Sequence, residues 1–129
     1  MDVVLIGAGT LSKFVLDIIS FQKNIDVVGI YDDILKKGSI VKNKKVIGNI
    51  TELFNSNIKN VIICIGNQSV RLDLYDQLEK KGFSFPKIIA HNAIISEYAQ
   101  VDEGCIIGFN STVLSDTEIK KNSCNALCK

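Results

Sequence analysis

The sequence predicts an α/β chain in two parts, a small parallel-sheet domain followed by a segment of different periodicity. Three observations predict it. A short apolar run ends in the glycine turn Gly7-Ala8-Gly9, and an amphipathic stretch follows. Two further strand-like runs, residues 26–31 and 60–65, are separated by more polar, helix-forming stretches. After residue 92 a six-residue period replaces both patterns. The 129 residues suffice for one ordinary domain, or one domain and part of another.

Residues 3–6 (VVLI) read as a buried parallel strand, closed by the glycine turn. In residues 11–21, Leu11, Phe14, Val15, Ile18 and Ile19 fall at helical spacing. Residues 26–31 (DVVGIY) form a second strand ending at Asp32-Asp33. Residues 34–45 are polar and lysine-rich, and read as loop; Val46-Ile47-Gly48 is a short apolar piece. Residues 50–57 read as a short helix with Thr51 as its cap. Residues 60–65 (NVIICI) form the third strand, closed by Gly66-Asn67. Residues 69–81 form an amphipathic helix with Val70, Leu74 and Leu78 in register, and Gly82 is its natural stop. Residues 85–90 give one more short strand around Pro86. Strands alternating with helices imply a parallel sheet, so residues 1–91 read as a Rossmann-like domain.

Beyond residue 92, Ile95, Val101, Ile107, Val113 and Ile119 lie six apart. Four residues after each comes a small side chain: Ala99, Cys105, Ser111, Thr117 and Ser123. Neither a helix nor a simple strand has period six, whereas hexapeptide repeats mark a β-solenoid. Residues 92–129 therefore read as the first coils of a left-handed parallel β-helix, aliphatic residues inward and small ones at the corners. Three hexads make one triangular coil, so five make less than two. The register lapses at Asn125, and the solenoid reads as started and not completed.

Composition narrows the partners. Apolar residues make 47% of the chain and charged residues 22%, which excludes an intrinsically disordered segment. Fifteen basic residues stand against 14 acidic, a net charge of +1, which argues against nucleic acid. No apolar run approaches the roughly 18 residues of a membrane span. The start Met1-Asp2-Val3 lacks the basic region of a signal peptide, so a cytoplasmic chain is expected. The cysteines are Cys64, Cys105, Cys124 and Cys128; the last two form C-x₃-C, and His91 is the single histidine. Paired four-ligand spacing is missing, so no metal site is expected, and the thiols read as reduced, small apolar groups.

A Rossmann-like domain running directly into hexapeptide repeats resembles the sugar O-acyltransferases of the sialic acid O-acetyltransferase type, including UDP-amino-sugar N-acetyltransferases. The resemblance covers essentially the whole chain. It is carried by Val4 to Gly9, Ile30-Tyr31-Asp32-Asp33, Ile65-Gly66-Asn67 with Arg71, Lys81-Gly82-Phe83, and the junction from Ile89-Ala90-His91 to Ile94-Ile95-Ser96. It implies an acetyl-CoA-dependent acetyltransferase of surface-glycan biosynthesis. The first domain would hold a UDP-sugar, and the solenoid would trimerise and bind acetyl-CoA between subunits. A solenoid histidine would act as general base toward the sugar amine or hydroxyl.

Two positions depart from the family pattern. The glycine turn continues Thr10-Leu11-Ser12, without the family's later glycines and histidine. The hexad register also puts the catalytic histidine about four residues past Lys129. His91 matches the junction histidine instead and reads as structural. No catalytic residue is therefore assigned, and the chain by itself is expected to be weak or inactive. No tight acetyl-CoA binding is expected of it, and most of the trimer-forming surface lies outside these residues.

The candidate binding residues are Gly7, Gly9, Thr10, Asp32, Asp33, Gly66, Asn67 and Arg71. Gly7 and Gly9 would let phosphate approach the backbone at a helix N-terminus, or would merely make a tight turn. Asp32 and Asp33 end a strand where an acid can meet a ribose hydroxyl, or they form a solvated turn. Asn67 could pair with a base or sugar, and Arg71 with a phosphate or a surface acid. Lys36, Lys37, Lys42, Lys44 and Lys45 read as a solvated loop. Two alternatives stand beside the acetyltransferase: a non-catalytic UDP-sugar-binding module, and a small NAD-binding oxidoreductase domain. The hexads count against the latter.

Overall fold

A computed structural model describes residues 1–125. Its first part is a five-stranded sheet, in spatial order Ile40–Val41, Lys44–Gly48, Asp26–Tyr31, Asp2–Ile6 and Val61–Ile63. β1 (Asp2–Ile6) leads through the glycine turn into α1 (Thr10–Ser20) and then β2 (Asp26–Tyr31). β3 (Ile40–Val41) and β4 (Lys44–Gly48) follow, then α2 (Ile50–Phe54), β5 (Val61–Ile63) and α3 (Gln68–Lys80). β1 pairs in parallel with both β2 and β5, and β2 with β4.

Side chains of β1 alternate between two cores, as strand geometry requires. Val3 and Leu5 join Val15, Ile18 and Ile19 of α1 on one face. Val4 and Ile6 join Leu53 of α2 and Leu74, Tyr75 and Leu78 of α3 on the other. Gly82 takes φ +89, and the amide of Phe83 reaches back to the Leu78 carbonyl at 3.2 Å, closing α3 where the sequence places its stop.

Three local expectations change. The lysine-rich stretch is not all loop: β3 and β4 form an antiparallel hairpin across Lys42-Asn43, both at positive φ. That is the two-residue turn whose twist matches its strands. The cap of α2 is Asn49 rather than Thr51. Its side chain accepts the Glu52 amide at 2.8 Å while Glu52 returns to the Asn49 amide at 3.1 Å. The strand around residues 85–90 does not join the sheet. β6 (Ile88–Ile89) pairs in parallel with β9 (Ile106–Ile107), so the repeating segment begins inside the stretch assigned to the first domain.

That segment continues with β7 (Ile94–Ile95), β8 (Gln100–Val101), β10 (Thr112–Val113), β11 (Glu118–Ile119) and β12 (Cys124–Asn125). All its pairings are parallel and 18 residues apart: β6 with β9 and β9 with β12, β7 with β10, β8 with β11. Three hexads thus bring the chain back onto itself. The corners use backbone that L-residues seldom adopt: Gly104, Asn110, Asp116 and Asn122 sit six apart at φ +73, +60, +64 and +57. Gly, Asn and Asp tolerate that conformation best. Cys128, the second cysteine of C-x₃-C, lies outside the described residues.

The two parts share a core. Ile88, Ala90 and Ile106 belong to the cluster that buries α1, with Phe109 packed against it. Phe109 also meets Phe14 edge-on at 5.8 Å between ring centroids. No helix among the described residues is long and apolar enough to cross a membrane.

Candidate functional site

The chain runs from β1 to β2 and β4 on one side, then returns past β1 to β5. Strand order therefore reverses between β1 and β5, and open α/β sheets bind ligands beyond the strand ends at such a reversal. Here the β1–α1 turn and the β5–α3 turn stand side by side at that reversal, where the general rule puts the crevice, and they are its two lips.

The first lip needs its glycine. Gly7 has φ +101, and a Cβ there would stand 2.9 Å from the Cys64 carbonyl oxygen. The lips are therefore in contact at their base. Gly9 caps α1 with extended backbone and no side-chain bond, and a Cβ there would meet nothing within 4 Å. It faces open space, and Thr10 beside it is exposed. Ser12 is buried, its hydroxyl turned back to the Gly9 carbonyl at 2.6 Å.

The second lip holds Gly66, also unobstructed, and Asn67. The Asn67 side chain accepts the Val70 amide at 3.1 Å and caps α3. One oxygen of this amide is thus spent on the helix, leaving its NH₂ as the group that can face a ligand. Neither α1 nor α3 has an acidic residue in its first turn, so neither helix N-terminus is neutralised from within its own helix. Oxygen-rich anions suit such a place.

The acids at the end of β2 hold the backbone rather than standing free. Asp32 accepts the Ala8 amide on Oδ1 at 3.0 Å, and the amides of Ile34 and Leu35 on Oδ2 at 3.0 and 2.7 Å. Asp33 accepts the Ile50 amide at 2.9 Å, at the first turn of α2. A carboxylate with three amides on it is a poor candidate for a ribose hydroxyl, so Asp32 shapes the first lip from outside.

Arg71 departs further from its expected role. It is buried, and its Nη1 donates to the carbonyls of Ile63 and Ile65 at 2.6 and 3.4 Å. Nη2 donates to the Asn122 carbonyl at 2.6 Å. The guanidinium ties the second lip to the repeating segment instead of reaching out to a phosphate. Beneath the lips, burial pushes the Cys64 thiol far above its ordinary range, against the opposing pull of the Arg71 charge.

His91 lies away from the crevice. It stacks on Phe21 at the end of α1, ring centroids 4.6 Å apart, and meets Phe109 edge-on. Lys42 and Lys44 belong to the β3–β4 hairpin at the amino end of the sheet, beside Asp26 and Val27, where they line a cleft remote from the crevice. Among the described residues no three His, Cys, Asp or Glu side chains gather to hold a metal ion. Sequence reasoning missed Tyr75 and Glu103, whose side chains join α3 to the repeating segment at 3.1 Å. It also missed the period-six series of Gly104, Asn110, Asp116 and Asn122, which stands one residue before the last four of the five small corner residues.

The model of the family described as the PglD N-terminal domain matches residues 2–78. No curated protein sequence matches the chain. Among solved structures, a histidine-to-asparagine variant of perosamine N-acetyltransferase from Caulobacter crescentus, in complex with CoA and GDP-perosamine, superposes with a TM-score of 0.89 at 22% identity. The match covers 97% of this chain and 60% of that one. The acetyltransferase domain of PglB from Neisseria gonorrhoeae, in complex with acetyl coenzyme A, superposes with a TM-score of 0.83 at 24% identity, over 95% of this chain and 60% of that one. At these identities the likeness is one of fold, and the chain spans about three fifths of the length of these solved chains.

Proposed function

Since the chain belongs to the PglD N-terminal domain family, we propose that its crevice holds the diphosphate of a sugar nucleotide whose sugar is acetylated in bacterial glycan biosynthesis. The observation that carries this reading is the crevice itself: a glycine turn and two helix N-termini without first-turn acids, at the reversal of strand order. The diphosphate rests on the amides of the Gly9–Thr10 turn, where the missing Cβ lets it approach. The Asn67 NH₂ faces the same ligand. The repeating segment is the start of a left-handed parallel β-helix, and acetyl-CoA is the co-substrate. Such an enzyme works in the cytoplasm as a trimer, with its sugar nucleotide supplied there.

In the transfer, a sugar amine or hydroxyl attacks the thioester carbonyl, loses its proton to a general base, and expels the CoA thiolate. Within residues 1–129 the only imidazole is His91, which is stacked on Phe21 away from the crevice. The residues described here therefore bind and orient the sugar nucleotide, and none of them is given the base.

The nucleobase separates UDP-sugars, expected from the sequence resemblance, from the GDP-perosamine bound by the Caulobacter crescentus enzyme. Calorimetric titration with UDP, GDP and NADH tests the reading. Saturable binding of UDP or GDP that weakens in Gly9→Ala or Asn67→Ala supports it. Binding of NADH alone overturns it in favour of an oxidoreductase domain.

A further inference from the structure

The amino-terminal half of α3 does two things at once. Its N-terminus forms the second lip of the crevice, and its inner face grips a corner of the repeating segment. Arg71 and Tyr75, four residues apart and hence on one face of the helix, make that grip. Arg71 reaches the Asn122 carbonyl, and the Tyr75 hydroxyl meets Glu103 as well as Glu79. Glu103 and Asn122 occupy the same corner, the Asn122 amide donating to the Glu103 carbonyl at 3.0 Å. Asn122 is itself locked there. It is buried at φ +57, and its side-chain oxygen lies where a Cβ on Gly104 would come within 2.4 Å.

A buried guanidinium without a carboxylate is costly unless its donors are well placed. Arg71 has three carbonyls around it, one from the end of β5, one from the β5–α3 turn and one from the corner, and among the described residues no acid pairs with it. Arginine can span such a set because its donors are fixed in a plane, while a lysine ammonium cannot.

We propose that Arg71 is a positioning residue that joins the β5–α3 lip of the crevice to the Gly104–Asn122 corner, so that disorder introduced at either end loosens the other. This role deepens the sugar-nucleotide reading, because the lip is where that ligand would sit. The coupling itself requires no ligand.

The test is amide hydrogen exchange on the whole chain with two substitutions placed at opposite ends. Arg71→Lys cuts the bridge from the lip side. Gly104→Ala forces Asn122 aside without touching the crevice. The expected result without ligand is that Gly104→Ala speeds exchange at residues 66–68, and that Arg71→Lys speeds it at residues 122–124, each by roughly tenfold. Faster exchange confined to the substituted end in both variants overturns the proposal. If Arg71→Lys fails to fold, Gly104→Ala alone decides by the same criterion. Titration with UDP and GDP forms a separate arm. If either binds the parent chain, Gly104→Ala should weaken it roughly tenfold through the displaced lip. If neither binds, the sugar-nucleotide reading fails while the exchange result still judges the bridge.

Discussion

The carboxylate of Asp32 holds the amide of Ala8 at 3.0 Å, across 24 residues of sequence. The end of β2 thereby sets the conformation of the turn after β1, and the same carboxylate gathers the amides of Ile34 and Leu35. A residue expected to touch ligand instead shapes the surface the ligand would meet.

Asp32→Ala should therefore lower stability as well as affinity. Losing charge-assisted bonds to three amides is expected to cost about 1–3 kcal/mol. Urea unfolding measures the stability loss, and nucleotide titration the loss of affinity. Asp32→Asn should recover little, because its NH₂ would face one or more of the amide donors.

The two glycines of the first turn should part company. Gly7→Ala strains a φ of +101 and drives a Cβ toward the Cys64 carbonyl, for a cost of about 1–3 kcal/mol. Gly9→Ala meets open space at φ −87 and should cost less than about 1 kcal/mol of stability. Its methyl group would nonetheless stand where phosphate is proposed to approach. Thermal unfolding with and without UDP or GDP separates the two: a destabilised fold for Gly7→Ala, and a near-normal fold with lost ligand stabilisation for Gly9→Ala.

The buried thiols should be silent. Burial raises Cys64, and raises Cys105 as well, so both should resist a thiol reagent in the native state while exposed Cys124 reacts. Mass mapping of labelled peptides reads this directly. The same shift makes stability depend on pH. The unfolded Cys64 thiol ionises near its ordinary value of 9.0 and the folded one does not. Its contribution is fully present below pH 9.0 and is lost as pH rises above it. Cys64→Ala should flatten that alkaline decline.

His91→Ala should leave nucleotide titration unchanged. It removes the stacking on Phe21 and the edge contact with Phe109 at an exposed site, for about 0.5–1.5 kcal/mol at most. A marked loss of nucleotide affinity would return His91 to the binding machinery.

Much of this architecture was legible in the chain. The strand, glycine turn and helix at residues 3–20 appear as read, as do the helix stop at Gly82 and the hexad period. Each rests on a local rule: apolar runs, helical spacing, or backbone that only certain residues adopt. The turns at Gly7 and Gly66-Asn67 were legible for the same reason, since those residues follow directly on strand-like runs. What was hidden were the partners of polar groups. An aspartate at a strand end serves a ribose or an amide equally well. An arginine on a helix serves a phosphate or a carbonyl. Sequence distance conceals which of these folding brings within 3 Å.

Where the chain turns and which period it follows are local matters, because they depend on neighbours within a few residues. Tertiary structure alone decided that Ile88–Ile89 stacks on Ile106–Ile107, 18 residues on, instead of extending the sheet. A two-residue apolar strand offers either partner the same hydrogen bonds, and only the shared core with α1 separates the two. The same holds for Arg71 and Asn122, whose contact spans 51 residues. It exists because α3 and the repeating segment were brought together by apolar burial, and the polar groups then paired with whatever lay within reach.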